Sequence, residues 1–449
     1  MRVRLRRYLE KLRGIGELLE IREEVSPELE IASISMLTKT DKPLLFTKVD
    51  GKDIPVVTNL VNRKRIMDEM KVSDDEELYA KLLEACEKPL KGELVDINEA
   101  SFAYREEKAD LSKLPVLKHF EKDPGPYVTS SIVIAKQIDG KIHNASVHRI
   151  LVKGRDKGTI RIVPRHLWKL YKEALNKGKE LPVVVLVGVH PLVILAAASS
   201  PPFGVYEMYV ANRLMKGEMK FVTMPESNII VPSEAEIVLE GYITAEEEDE
   251  GPFVDILGIY DKRRKQPVIR FERMWLSERA VYHAIIPGGD EHKVLMGLHR
   301  EASIWDAVRR VVPRVWKVRL TSGGGGWLHA VISISKSCEG DGKNAIMAAF
   351  AAHPSLKHVV VVDDDIDVDR LEEVEWSIAT RLQASRGLVV IRGARGSSLD
   401  PSADQENLIT DKIGVDATRS LFKPREAYQR VKPYVNKRIM ELLKKLEGY

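Results

Sequence analysis

The feature that most constrains the fold is a series of short apolar runs, separated by Gly, Pro and Asp, between residue 115 and about residue 285. Strand-length apolar runs at this spacing are typical of a β-barrel or a β-sandwich. We therefore predict a β-rich central domain, interrupted by one helix near residues 167–175. The runs lie at residues 132–134, 160–163, 183–187, 229–231 and 237–239.

The segments on either side have the periodicity of mixed α/β structure. Leucines recur at helical spacing over residues 3–20, and beyond residue 312 predicted strands alternate with predicted helices. A chain of 449 residues is also too long for one ordinary core. The predicted division is an N-terminal α/β unit over residues 1–105, a β-barrel domain over 106–290, a connecting helix over 291–312 and a C-terminal α/β domain over 313–449, closed by a Lys-rich helix over 425–446.

Composition excludes several classes of protein. The chain is 44% hydrophobic and 31% charged, as soluble globular proteins are, and its net charge of +3 gives no support to nucleic-acid binding. The longest apolar stretch, residues 183–199, is interrupted by glycine, histidine and proline, so no membrane span is predicted. Cys86 and Cys338 are too far apart for a disulfide framework, and no signal peptide is visible. We expect a cytoplasmic protein in which Cys86 is a core thiol.

One predicted strand, residues 144–149, has polar side chains on both faces. On an extended backbone Asn144, Ser146 and His148 share one side, while Arg149 lies on the other. An amide, a hydroxyl, an imidazole and a guanidinium suit a ligand site better than a core. The alternative is a half-buried hairpin strand with one solvated face.

Further polar groups follow in the same β-rich part. Asn144, His166 and Glu207 together would suit a hard divalent cation of the Mn or Mg type, although each alone is more often a hydrogen-bonded surface or core group. Glu250 and Asp255 flank a Gly-Pro bend, which would place two carboxylates near a guanidinium for proton transfer. The alternative for this segment is a solvated acidic turn, because residues 246–250 are an unbroken acidic run.

Other segments carry competing hypotheses. The acidic run at residues 363–367 would suit a Mg site of a phosphotransfer enzyme, but no phosphate-binding Gly-x-x-x-x-Gly-Lys loop accompanies it, and an acidic strand end that caps a helix is the simpler interpretation. The glycines at 323–326 precede a strand rather than a helix, which favours a flexible loop over a phosphate cradle. His299 and His329 are interpreted as packing or surface histidines, with His329 in a position to approach a substrate pocket.

Taken in order along the chain, these motifs resemble the UbiD family of decarboxylases, which use prenylated flavin mononucleotide (prenylated FMN). The resemblance covers nearly the whole sequence, and it implies a central split β-barrel that binds the flavin, between an N-terminal α/β unit and a C-terminal α/β domain. The motifs are the N-x-x-x-x-R strand at 144–149, Pro-Arg-His at 164–166, Glu207, Glu-Gly-Pro-Phe-Val-Asp at 250–255, the Val-Asp run at 360–367, Trp-Ser-Ile-Ala-Thr-Arg at 376–381 and Lys-Ile-Gly-Val-Asp-Ala-Thr at 412–418.

The resemblance also implies roles for individual residues. Asn144, His166 and Glu207 match the family's ligands for a divalent metal, usually Mn2+ and otherwise Mg2+, that bridges to the cofactor phosphate. Arg149, Glu250 and Asp255 match its catalytic network, with Asp255 where some members have Glu. A K+ ion is expected beside the phosphate, near Ser199 and Lys412. The residues expected to contact the cofactor are Asn144, Ser146, Val147, His148, Arg149, Arg165, His166, Ser199, Glu207 and Lys412.

Loss of CO2 from an alkene carbon leaves a carbanion that no side chain here can delocalise, so an electron-sink cofactor is needed. The family therefore implies decarboxylation of an α,β-unsaturated or aromatic acid, with a flavin prenyltransferase as cofactor supplier and a homodimer or higher homo-oligomer as the assembly. Lys and Glu are abundant and Gln occurs five times, a bias reported for hyperthermophiles. The archaeal branch of the family then suggests trans-anhydromevalonate 5-phosphate, of the modified mevalonate route to isoprenoids, as the substrate. The alternatives are 4-hydroxybenzoate or its polyprenyl derivative, and a flavin-binding protein without turnover.

Overall fold

The structure is a computed structural model that describes residues 4–431 and 433–446. An N-terminal α/β unit, a central antiparallel barrel and a C-terminal α/β sheet follow one another along the chain. The predicted multidomain α/β fold with a central barrel is confirmed. The residue boundaries of the four predicted segments stay a prediction.

The N-terminal unit begins with the helix that the leucine spacing predicts. Its buried residues include Leu5, Leu9 and Leu12, at helical spacing, and the helix ends at Gly14 because the chain turns through Gly16 at φ +71°. The elements of this part are α1 (Leu5–Gly14), β1 (Leu19–Val25), α2 (Glu30–Leu37), β2 (Leu44–Val49), β3 (Val56–Thr58), α3 (Arg63–Met70), α4 (Asp75–Glu87), β4 (Glu93–Leu94) and β5 (Arg105–Lys108).

The central part closes into a barrel. Strands in the order β12, β9, β6, β7, β8 and β15 pair antiparallel with their neighbours, and β15 pairs back onto β12. Closure removes the exposed edges that an open sheet would have. The elements are β6 (Tyr127–Lys136), β7 (His143–Val152), β8 (Lys157–Ile160), α5 (His166–Asn176), β9 (Leu181–Val187), α6 (Pro191–Ala197), α7 (Glu207–Leu214), β10 (Lys220–Thr223), β11 (Ile230–Pro232), β12 (Ile237–Glu250), β13 (Phe253–Val254), β14 (Tyr260–Asp261), β15 (Arg264–Leu276) and β16 (Tyr282–His283).

The barrel is incomplete along one strand. β7 pairs with β6 over most of its length, but it pairs with β8 only at residues 150–152. The edge of β7 at residues 144–148 is therefore unpaired on the β8 side within the described chain. This open edge coincides with the polar strand that the sequence singles out.

The C-terminal part is a five-stranded sheet in the order β17, β18, β19, β21, β20, with a parallel centre and antiparallel outer pairings. The predicted closing helix over 425–446 is wrong in its extent, because Pro433 has no N–H to continue a helix and regular structure resumes only at Lys437. The elements are α8 (Asp290–Val308), β17 (Arg314–Leu320), β18 (His329–Ser335), α9 (Asp341–Ala352), β19 (His358–Asp363), α10 (Leu371–Arg381), α11 (Ala384–Gly387), β20 (Leu388–Arg395), β21 (Ile409–Asp416) and α12 (Lys437–Leu446).

Candidate active site

A buried ion pair joins the middle of β7 to the end of β12. Arg149 donates from Nε to Glu250 Oε1 (2.8 Å) and from Nη2 to Glu250 Oε2 (2.9 Å), and Glu250 is fully buried. Burial by itself would lower the pKa of Arg149, but the hydrogen bonds and the charge of Glu250 outweigh it and raise that pKa. The guanidinium is thus held charged and fixed in direction by a bidentate contact.

A third group shares this guanidinium. Arg149 Nη2 also donates to Asp261 Oδ2 at 3.1 Å. No hydrogen-bond partner within residues 4–431 and 433–446 takes Nη1, and the Arg149 side chain keeps 15% of its exposure. The edge of Arg149 that carries Nη1 is therefore available to an incoming carboxylate.

Tyr127 and Phe253 contact the Arg149–Glu250 ion pair. The Tyr127 hydroxyl donates to Glu250 Oε1 (3.2 Å) and accepts from the backbone N–H of Gly251 (3.2 Å). The two rings lie 4.0 Å apart between centroids, and the Arg149 guanidinium lies over the Phe253 ring at 5.0 Å. Sequence analysis missed Tyr127 and Asp261, because single residues within strands give no signal in a periodic pattern.

Asp255 lies beyond the Gly-Pro bend, close to the same cluster but without a hydrogen bond to Arg149. Its Oδ1 accepts the backbone N–H of Leu257 at 2.8 Å. Burial raises the pKa of Asp255, and the negative charge of Asp261 adds to that rise, against the lowering effects of the Leu257 hydrogen bond and of Arg149. A carboxyl group whose pKa is raised in this way is suited to hold a proton and deliver it.

The three predicted metal ligands converge at the other end of the open β7 edge. Asn144 Nδ2 donates to Glu207 Oε1 (2.8 Å), and His166 Nδ1 lies 3.9 Å from the same oxygen. Glu207 Oε2 accepts from the backbone N–H of Ala145 at 2.7 Å. A carboxylate, an amide and an imidazole within this distance fit a hard divalent cation, and binding would require the Asn144 amide to present its oxygen.

Ser146 and His148 lie along the same face of β7, as the alternation predicts. The Ser146 hydroxyl contacts Asn144 Oδ1 at 3.3 Å and His148 Nε2 at 2.9 Å. Burial lowers the pKa of His148 to about 4, so its Nδ1–H donates to the Arg161 carbonyl oxygen (2.9 Å) while Nε2 accepts from Ser146. Val147 is half-buried between these residues.

The remaining predicted cofactor contacts are spread over three elements. Arg165 is the exposed residue before α5, next to His166. Ser199 is buried after α6, where its hydroxyl donates to the Ala196 carbonyl oxygen at 2.6 Å. Lys412 lies on β21, and its ammonium group donates to the carbonyl oxygen of Leu356 at 2.7 Å. The structure thus brings Arg149, Glu250 and Asp255 together, and Asn144, His166 and Glu207 together, while Lys412 comes from the C-terminal sheet.

The residues named in the competing hypotheses have ion-pair, hydrogen-bond or packing roles in the structure. Asp363 and Asp365 of the acidic run are paired with Arg381 at 2.6 and 2.7 Å. His329 hydrogen-bonds Thr321 Oγ1 at 3.1 Å, and His299 is buried in α8. Cys86 is half-buried, and burial raises its pKa to about 11, which is the environment of an unreactive thiol.

The two clusters are separated by the length of one strand segment. Asn144 and Arg149 are five residues apart on an extended backbone, which corresponds to roughly 16 Å. A ligand that spans this edge would meet a metal-type site at one end and a fixed guanidinium with two acidic groups at the other. Such an arrangement would suit an elongated phosphorylated ligand whose far end lies at the acid–base cluster.

Comparisons with known proteins identify the family of the chain. The family models of the 3-octaprenyl-4-hydroxybenzoate carboxy-lyase (UbiD) match residues 9–86 (N-terminal domain), 93–290 (Rift-related domain) and 293–417 (C-terminal domain). An anhydromevalonate phosphate decarboxylase of Aeropyrum pernix is 48% identical over 88% of this chain and 89% of its own length. Its counterpart in Methanothermobacter thermautotrophicus is 44% identical over 95% of this chain and 99% of its own length.

Solved structures give the same result. The UbiD-class enzyme HmfF of Pelotomaculum thermopropionicum, in complex with FMN, superposes with a TM-score of 0.92 at 40% identity, covering 96% of this chain and 97% of that one. An evolved dimeric form of that enzyme, in complex with prenylated FMN, superposes with a TM-score of 0.89 at 37% identity over the same shares. Among the described helices of this chain, none has both the length and the apolarity to cross a membrane.

Proposed function

This chain belongs to the UbiD family of carboxy-lyases, and on that premise we propose that it decarboxylates trans-anhydromevalonate 5-phosphate with prenylated FMN. The observation that carries the proposal is the Arg149–Glu250 ion pair, which leaves Nη1 of a fixed guanidinium open beside Asp255. The substrate assignment is supported by the relatives from Aeropyrum pernix and Methanothermobacter thermautotrophicus, which are named for this decarboxylation.

The cofactor would lie along the open edge of β7. Asn144, His166 and Glu207 would hold Mn2+ or Mg2+ against its phosphate, with K+ near Ser199. Ser146, Val147, His148, Arg165 and Lys412 are the further proposed contacts. When bound, prenylated FMN supplies the electron sink that decarboxylation at an alkene carbon requires.

The chain's own residues would position the substrate and move the proton. Arg149 binds the substrate carboxylate through Nη1, because Glu250 already occupies the Nε and Nη2 edge. Glu250 holds Arg149 in place and is itself held by Tyr127. After CO2 leaves, Asp255 gives its proton to the carbon that carried the carboxylate and is reprotonated from solvent.

The oligomeric state and the source of the cofactor belong to the same proposal. In the described C-terminal segment, α12 exposes a row of large apolar side chains, namely Met440, Leu442, Leu443 and Leu446. An exposed apolar face of this kind is typical of an association surface, which supports a homodimer or a higher homo-oligomer. A flavin prenyltransferase in the same cytoplasm would provide the cofactor.

The experiment is product analysis with enzyme that has been co-expressed with a flavin prenyltransferase and supplied with Mn2+ and K+. CO2 release from trans-anhydromevalonate 5-phosphate, and none from a panel of aromatic acids, is the expected result. Turnover of 4-hydroxybenzoate or its polyprenyl derivative instead would retain the mechanism and refute the substrate. Absence of turnover with the active cofactor bound would favour a flavin-binding protein without activity.

A further inference from the structure

One group of arginines has no acidic partner within residues 4–431 and 433–446. Arg300 of α8 is half-buried, and its one hydrogen bond among the described residues runs from Nη2 to the Ser200 hydroxyl at 2.8 Å. In other described parts of the chain, buried guanidinium groups are neutralised by carboxylates or bound by backbone carbonyl oxygens. The comparison group is Arg149 with Glu250 and Asp261, Arg319 with Asp75, Glu301 and Asp369, Arg381 with Asp363 and Asp365, and Arg65 with the carbonyl oxygens of Asp41, Asn59 and Leu60.

Two further arginines lie next to Arg300 without acidic partners. Burial lowers the pKa of Arg300 to about 10, and the positive charge of Arg165 adds to this lowering. Arg395 lies near enough to Arg165 for their charges to repel each other. Within residues 4–431 and 433–446, no carboxylate makes a hydrogen bond or an ion pair with the side chain of Arg165 or Arg395. Arg165 and Arg395 are exposed, so this group of positive charges, which has no carboxylate partner among the described residues, is open to an anion from solvent.

Packing explains why the three groups meet. Arg300 lies over the Trp327 ring at 5.7 Å, and Trp327 Nε1 donates to the Ser397 hydroxyl at 3.3 Å, two residues after Arg395. Trp327 can approach α8 because Gly297 on that helix has no side chain: a Cβ there would lie 2.9 Å from the carbonyl oxygen of Gly326, the residue before Trp327.

A second loop links Arg300 to Arg165. Ser200, the hydrogen-bond partner of Arg300, belongs to the loop between α6 and α7. In the same loop the Phe203 ring packs against His166, with ring centroids 5.3 Å apart, and His166 directly follows Arg165. The cluster thus lies where the barrel, α8 and β20 meet.

We propose that Arg165, Arg300 and Arg395 form a receptor for a phosphomonoester dianion, and that this dianion is the phosphate of the substrate. A phosphomonoester carries nearly two negative charges and three acceptor oxygens, which guanidinium groups bind in a bidentate manner. The assignment rests on the proposed function, in which two phosphates must be neutralised. The site of Asn144, His166 and Glu207 would take that of the flavin, and the arginine cluster would take that of the substrate. Arg165, which adjoins His166, would then contact the cofactor with its backbone and direct its guanidinium charge to the substrate.

The test compares Arg300→Gln and Arg395→Gln with a matched control, Arg309→Gln. Arg309 follows α8 and lies over the Trp305 ring at 4.6 Å, but it is paired with Asp306 at 2.6 Å. For each protein we would measure KM and kcat for trans-anhydromevalonate 5-phosphate in the prenylated-FMN enzyme. Flavin-fluorescence titration would give the Kd of FMN and of riboflavin, and calorimetry of FMN-loaded protein would give the Kd of inorganic phosphate.

We expect KM to rise about 10- to 100-fold in Arg300→Gln, the loss expected for a charged hydrogen bond, and by a smaller factor in Arg395→Gln. The Kd of FMN should stay constant, and the control should match the parent protein. A higher Kd for FMN, with unchanged KM and unchanged riboflavin binding, would assign the cluster to the cofactor phosphate and overturn the substrate assignment. Unchanged values throughout would refute the receptor.

Anion binding at the arginine cluster can be tested even if the proposed function fails. If the parent enzyme turns over no substrate, weaker binding of inorganic phosphate to Arg300→Gln than to Arg309→Gln supports an anion receptor. Equal binding overturns it. Because Arg395 is exposed, Arg395→Gln gives the same information if Arg300→Gln does not fold.

Discussion

Two arginine sites in this protein differ in how their charge is balanced. At the acid–base end of the β7 edge, Arg149 is bound by Glu250 and Asp261 before any ligand arrives. At the junction of the barrel with the C-terminal sheet, Arg300 has a serine hydroxyl as its hydrogen-bond partner. The first site is preorganised, because its geometry is fixed within the protein. The second depends on a ligand for its neutralisation, so it should govern affinity rather than the chemical step.

The largest expected effect is at the preorganised site. Glu250→Gln removes the carboxylate that orients Arg149, so we expect kcat to fall by about a thousandfold or more, comparable to removing a key electrostatic group from an active site. The Kd of FMN, measured by fluorescence titration, should change little. The control is Glu248→Gln, on the same strand and paired at the surface with Lys157. Equal losses of flavin binding and turnover would indicate that Glu250 has a structural role instead.

The next largest effect is expected for Asp255→Asn. This substitution should lower kcat about 100- to 1000-fold, because an amide cannot deliver the proton. In the parent enzyme burial raises the pKa of Asp255, so the protonated donor persists above the ordinary pH range of an aspartic acid. Activity should therefore fall as pH rises through that raised pKa, and the pH profile of kcat measures it. An unchanged alkaline limb in Asp255→Asn would show that another group is titrating.

A smaller effect is expected for Tyr127→Phe, which keeps the ring against Phe253 but removes the hydroxyl that donates to Glu250. Loss of one hydrogen bond to a charged group predicts a decrease in kcat of about tenfold. KM should change little, since the hydroxyl does not contact the open Nη1 edge. Tyr171→Phe is the control, because its hydroxyl bonds the Thr244 carbonyl oxygen within the barrel, away from Arg149. Equal effects in the two variants would remove Tyr127 from the positioning network.

The smallest expected effect is that of salt. Salt screens exposed charges more than buried ones and therefore distinguishes the two arginine sites. Raising NaCl from about 50 to 500 mM at constant KCl shortens the Debye length from roughly 14 to 4 Å, so KM for a phosphorylated substrate should rise a few-fold through the exposed Arg165 and Arg395. The buried Arg149–Glu250 pair should leave kcat nearly constant. Steady-state kinetics across this salt range measures both. A fall in kcat at constant KM would contradict the proposal that the arginine cluster governs substrate affinity while Arg149 serves the chemical step.

Much of the fold follows from periodicity alone. The alternation of Asn144, Ser146 and His148 places them on one face, as the structure shows, and the Gly-Pro bend brings Glu250 and Asp255 to the same end of the barrel. Tyr127 and Asp261 are not predictable in this way, because their importance arises from contacts across strands. The arginine cluster is even less accessible from sequence, since it joins residues 165, 300 and 395 through packing around Trp327.

The unpaired edge of β7 also affects how the protein should behave before the cofactor binds. A strand edge without a neighbouring strand is a template on which other chains add strands, and on this edge Glu207 accepts the N–H of Ala145 but no strand pairs with residues 144–148 among the described residues. A flavin seated along residues 144–148 would cover that edge, so the newly made, unloaded protein should be the form most prone to self-association. The supply of cofactor would then set how much protein stays dispersed, as well as how much of it is active.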